Sequence, residues 1–127
     1  MKRLIACTLL ALATFMALPA FADGHSTMRV VVVQTDDAAA YADQLKKGKA
    51  LIAGIDDGLE IRAWQATFAG ERTGAIVVAV SHAGGLAAFA ESWEKVQANE
   101  EVAAWIGGLD GMRTITSDSL YSEIPLD

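Results

Sequence analysis

Four residues of this 127-residue chain, Arg62, Trp64, Phe68 and His82, have types and spacing that offer chemistry. His82 follows the apolar run Gly74-Ala75-Ile76-Val77-Val78-Ala79-Val80 and precedes Ala83-Gly84-Gly85, which places it at the end of a buried strand. An imidazole there can serve as an axial haem ligand or a proton shuttle at a cavity mouth. A lone histidine without a carboxylate pattern more often caps the next helix or faces solvent, and that role is favoured. Trp64 shares strand parity with Glu60, Arg62, Ala66 and Phe68, opposite Leu59, Ile61 and Ala63. A strand from Leu59 to Phe68 therefore points Arg62, Trp64 and Phe68 to one side, where two aromatics and a guanidinium suit a flat, partly anionic ligand. The same aromatics also plug protein interfaces, and this second role is favoured.

No other constellation supports catalysis, and no catalytic residue is assigned. The acid pairs Asp36-Asp37, Asp56-Asp57 and Glu100-Glu101 fall in turns and helix starts, where carboxylates cap or solvate. None is spaced with a histidine as a metal set requires, so no metal site is assigned. Ser81 and His82 are neighbours on a strand, point to opposite faces and cannot form a nucleophile pair. No phosphate-cradling glycine loop or Gly-x-Ser-x-Gly elbow is present.

The elements that must position these side chains follow from periodicity. Met28 to Gln34 reads as a strand, and Thr35-Asp36-Asp37 offers caps for a helix carrying Ala38, Tyr41, Ala42, Leu45 and Ile52 on one face, with Gly54 as its stop. Gly48 interrupts that pattern. Leu59 to Phe68 and Gly74 to His82 form two strands joined at hairpin length by Ala69 to Gly74. A second helix carries Leu86, Phe89, Ala90, Trp93 and Val96, and a short one from Asn99 carries Val102, Trp105 and Ile106 up to Gly107-Gly108. Tryptophans at this spacing read as packing. Met112 to Ile124 is a last strand, interrupted around Ser117-Asp118-Ser119. The order is the α+β, ferredoxin-like β-α-β-β-α-β arrangement, which places both helices on one face of a four-stranded antiparallel sheet.

Residues 1–22 read as a cleavable signal peptide: Lys2 and Arg3, the apolar stretch Leu4 to Leu18, Pro19, then Ala20-Phe21-Ala22 before the cut. The apolar run is shorter than the roughly 20 residues of a spanning helix. The expected product is one exported domain, 23–127, periplasmic or secreted, with no membrane attachment after cleavage. Cys7 leaves with the leader, which excludes a disulfide framework and a cysteine nucleophile. Loss of Lys2 and Arg3 leaves eight basic residues against sixteen acidic ones, a net charge of −8 that repels phosphate backbones. Nucleic acid is excluded as a partner.

Arg29-Val30-Val31-Val32-Val33 and the Ile76 to Val80 run are apolar on both faces, which marks a sheet buried on both sides. The helices cover one face, so a second copy of the chain is expected on the other. At this point the stretch from Leu86 to Trp105, a helix followed by the restart Asn99-Glu100-Glu101, resembles the dimeric α+β barrel superfamily, which includes antibiotic-biosynthesis monooxygenases, NIPSNAP-like and stress-responsive barrel proteins. Asn99-Glu100-Glu101 lacks the proline that members often carry there. The resemblance implies two sheets facing each other across a two-fold axis, with haem, quinones or polyphenols bound in some members. The expectation is thus a homodimeric binding or structural module without a cofactor. Its alternative is a monooxygenase-like or haem-binding protein for a small flat aromatic ligand in the dimer interior, at Arg62, Trp64, Phe68 and His82.

Overall fold

A computed structural model describes residues 25–127, and the leader reading lies outside these residues. The chain runs β1 (Thr27–Gln34), α1 (Ala38–Ile55), β2 (Leu59–Gln65), a single 3-10 turn (Gly70–Arg72), β3 (Ile76–His82), α2 (Leu86–Gln97), α3 (Glu100–Asp110) and β4 (Thr114–Ser122). The strands form one sheet in the order β2-β3-β1-β4, every neighbouring pair antiparallel. This is the split βαβ arrangement, with β3 inserted between β1 and β2.

Side-chain caps set the helix starts. The Asp37 carboxylate accepts from the Ala40 N–H at 3.0 Å, and the Asn99 amide oxygen accepts from the Glu101 and Val102 N–H groups at 2.9 and 3.1 Å. Glu100 and Glu101 add negative charge in the first turn of α3, where the helix dipole favours it. Two expected helix ends move outward. α1 continues past Gly54 to Ile55, and α3 passes Gly107-Gly108 to reach Asp110. Those glycines lie on open surface, while the buried Leu109 holds the last turn of α3 against the core.

Two strands also differ from expectation. β2 stops at Gln65, because Ala66 and Ala75 close the hairpin and the chain then turns through Gly70 at φ +59°. Phe68 therefore lies outside the strand, fully exposed. β4 is continuous through Ser117-Asp118-Ser119, and its irregularity sits one residue earlier. There the register shifts between Val32 and Val33, and the Thr116 hydroxyl donates to the Val32 carbonyl at 3.2 Å.

The main core cluster lies on one side of the sheet. Val31, Val33, Leu59, Ile61, Ile76, Val78 and Val80 share one strand parity and pack against Tyr41, Leu45 and Ile52 of α1, Phe89 and Val96 of α2, and Val102 and Leu109 of α3. The opposite parity has no helix above it. In register across β2, β3, β1 and β4 its rows are Glu60, Ser81, Met28, Tyr121, then Arg62, Ala79, Val30, Ser119, then Trp64, Val77, Val32, Ser117. Val30, Val32 and Val77 are half-buried here by their neighbours alone.

Candidate functional site

The residues singled out by sequence do not converge. Arg62 and Trp64 lie together on the helix-free face, the guanidinium 5.5 Å from the Trp64 ring centre, with Trp64 half-exposed. His82 pairs across the sheet with Leu59 and Thr27 and so takes the helix-side parity. Its Nδ1 accepts from the Gly84 N–H at 2.9 Å, inside the turn that leads to α2. A haem ligated by His82 would thus lie across the sheet from Arg62 and Trp64, and these residues do not fit that group. Among the described residues, no group of three or more His, Cys, Asp or Glu side chains could hold a metal ion.

Beside His82, Asp56 at the end of α1 accepts from the Gly58 N–H at 2.8 Å and faces Lys95 at 3.7 Å. The Gly58 bond first, then the Ser92 hydroxyl, hold its carboxyl below the usual range. One Asp56 oxygen closes the turn into β2 and the other faces Lys95 of α2, so the cluster ties the end of α1 to its neighbours.

A different set of residues does enclose space. Between sheet and helices lies a cavity of about 110 Å³, floored by Val31, Val78, Val80 and Ile115 and roofed by Leu45, Trp93, Trp105, Ile106 and Leu109. Arg29 and Arg113 are among its lining residues, and no Asp or Glu is. Arg29 lies 5.1 Å from the Trp93 ring centre, and Trp93 stacks on Phe89 with centroids 6.0 Å apart. Trp105 is fixed at its polar end, its indole N–H donating to the Gln44 carbonyl at 2.8 Å. A larger groove of about 480 Å³, lined by Asp36, Asp37 and Gly111 and also by Arg113, is a more open trough.

Both arginines are held from behind. Arg29 donates from Nε and Nη2 to the two carboxylate oxygens of Asp118, at 2.9 and 2.6 Å. Arg113 donates to the buried Tyr41 hydroxyl at 3.1 Å and to Asp110 at 2.9 Å. Hydrogen bonding to Arg29 is the main reason the Asp118 carboxyl lies below its ordinary range, with the charges of Arg29 and Arg113 adding to it against burial. Burial opposes the charge of Arg113, and the bonds to Tyr41 and Asp110 outweigh it, so that group titrates higher than usual. Sequence reasoning passed over both arginines and assigned Trp93 and Trp105 to packing alone. The available signal was a charge at position 29 with the parity of Val31 and Val33.

The lowered Asp118 titration has a signed consequence. A carboxylate that ionises more readily when folded stabilises the fold above its unfolded titration range near pH 3.9, and that contribution fades as pH falls through the folded value. Because Asp118 is 41 % exposed and solvent screens the pair, the contribution is about 1 kcal/mol or less. In urea melts the stability gap between the protein and Asp118→Asn is expected to be constant above about pH 5 and to close below about pH 4. A gap that stays flat down to pH 2 would remove the ion pair from the stability of the fold.

No protein-family model matches the chain, and no curated protein matches it in sequence. Among solved structures, it is similar to a conserved protein of unknown function from Bacteroides thetaiotaomicron, described as a possible oxidoreductase. The TM-score is 0.58 at 9 % identity, over 79 % of this chain and 99 % of that one. At this identity the likeness is one of fold.

Proposed function

We propose that this chain is an exported, non-catalytic binding protein that works as a homodimer of α+β barrel type, with a small-molecule site in the helix-sheet cavity of each subunit. One observation carries the dimer: the helix-free face is apolar along its centre, through Val30, Val32, Val77, Ala79 and Met28, and its strand charges, Glu60 and Arg62, are confined to edge strand β2. The three helices pack on the other side, so no described helix is left to cover this one. The occupant favoured is a second copy, because a face with a charged edge at β2 and a serine-tyrosine edge at β4 can meet itself across a two-fold axis. Arg62 and Trp64 then flank the contact as interface residues, with Trp64 as its aromatic anchor.

The Bacteroides protein is described as a possible oxidoreductase, and this chain brings no acid, base or metal set to its cavity that would support redox chemistry by its own side chains. Binding is therefore favoured over turnover. Sedimentation equilibrium of the purified protein at micromolar concentration is expected to give twice the chain mass. A monomer at 100 µM would overturn the proposal.

A further inference from the structure

We infer that the two-fold axis of the dimer runs parallel to the strands, so that edge strand β2 of one subunit lies over edge strand β4 of the other and each seam is built from both chains. The inference rests on the dimer reading and names how the two copies meet. Rotation about such an axis leaves positions along the strands unchanged and reverses the strand order β2-β3-β1-β4. Each row of the helix-free face therefore meets its own reversed copy.

The rows are complementary to their reversed copies. In the first, Glu60 meets the partner's Tyr121, whose phenolic O–H can donate to the carboxylate, and Met28 meets the partner's Ser81. In the second, Arg62 meets the partner's Ser119, and Val30 meets the partner's Ala79. In the third, Trp64 meets the partner's Ser117, and Val32 meets the partner's Val77. Long side chains on β2 thus oppose short ones on β4, and the one large side chain of β4 in these rows opposes the acid. Packed sheets stand about 10 Å apart, a gap that a tyrosine and a glutamate, or a tryptophan and a serine, span between them. A subunit alone has neither seam complete.

An axis across the strands also packs the two sheets face to face, but it places β2 over β2 and reverses the order of the rows. Centred on the second row, it sets Arg62 against its own copy, and like charges facing each other across an interface are unfavourable. Shifting the centre by half a row relieves the arginines. It then leaves either the row of Trp64, Val77 and Val32 or the row of Glu60, Ser81 and Met28 without a partner. The axis along the strands covers all three rows and keeps the two copies of Glu60, and of Arg62, at opposite edges of the pair.

The test is cross-linking by a short bis-maleimide in the full chain carrying Cys7→Ser, where the introduced thiols are the only ones. Three proteins are compared at micromolar concentration: Arg62→Cys, Ser119→Cys, and the double variant. The double variant is expected to give a covalent dimer on a denaturing gel and each single variant only monomer, because either position alone lies at opposite edges of the pair. A covalent dimer from either single variant would overturn the axis while leaving the face-to-face pair standing. No covalent dimer from any of the three would also overturn the axis, and sedimentation of the same samples then separates the two readings. Twice the chain mass would move pairing to another surface, and a monomer would end the dimer itself.

Discussion

Gly48→Ala is expected to destabilise the protein by about 2 kcal/mol, although alanine is the better helix former by roughly 1 kcal/mol. Gly48 lies inside α1, buried, where the indole of Trp105 rests against its backbone. A Cβ at this position would fall 1.9 Å from Trp105 Cζ2 and 2.2 Å from Cε2. Those are atoms of a rigid bicycle, tethered right beside the contact by the bond from Nε1 to the Gln44 carbonyl. The ring cannot yield as a flexible chain would. Overpacking of this kind costs about 1 to 3 kcal/mol, and displacing the indole forfeits a hydrogen bond of about 1 kcal/mol besides. The sum exceeds the propensity gain, which decides the sign. For a domain of this size the melting temperature is expected to fall by roughly 8 to 16 °C. In a Trp105→Ala background the obstacle is gone, and Gly48→Ala should become neutral or stabilising by up to about 1 kcal/mol. Thermal melts of the four members of this cycle check it. A stabilised single variant would show that the helices separate freely at this contact.

The same residue shows where sequence stops being informative. Gly48 stands out at once as a break in the helical pattern, and propensity counts it only as a weakness. Its use depends on Trp105, which reaches α1 from a helix more than fifty residues later. By contrast, the strands β1 and β3, the cap at Asp37 and the helix restart at Asn99 depend on neighbours within a few positions, and they were legible. Phe68 shows a local failure: alternation carried the strand on to it, but hairpin closure at Ala66 and Ala75 intervened. His82 was placed correctly at a strand end, and its parity separates it from Trp64, a consequence of counting residues across β2 and β3 that needs the register as well as the sequence. The cavity was least legible. Arg29 and Asp118 are 89 positions apart, and the register between β1 and β4 that unites them shifts at Thr116, a bulge that apolar alternation in a serine-rich strand does not announce.

If the chain pairs as proposed, Val32→Glu is expected to raise the dissociation constant of that dimer at least a thousandfold while leaving the fold of each subunit intact. Val32 sits in a central strand, in the row that runs from Trp64 through Val77 to Ser117, on the face without helices. In a free subunit that position is only half-buried, so a glutamate can reach water and the cost to folding is small. In a face-to-face pair the two-fold axis places two copies of the new carboxylate inside one apolar contact, each losing water without gaining a cation. Burying an unpaired charge at an interface costs about 2 to 5 kcal/mol, and a thousandfold change corresponds to about 4 kcal/mol. Arg62→Gln, at the edge of the same face, should weaken association far less, because a rim charge keeps its solvent. The contrast separates an interface from a surface that is merely sensitive to charge. It also predicts that melting temperature rises with concentration in the unmodified protein and becomes independent of concentration in Val32→Glu, since only an associating fold is stabilised by mass action. Sedimentation velocity and melts over a hundredfold concentration range read both effects. A Val32→Glu protein that still sediments as a dimer would move the contact to another face and leave the apolar rows of the sheet without an occupant.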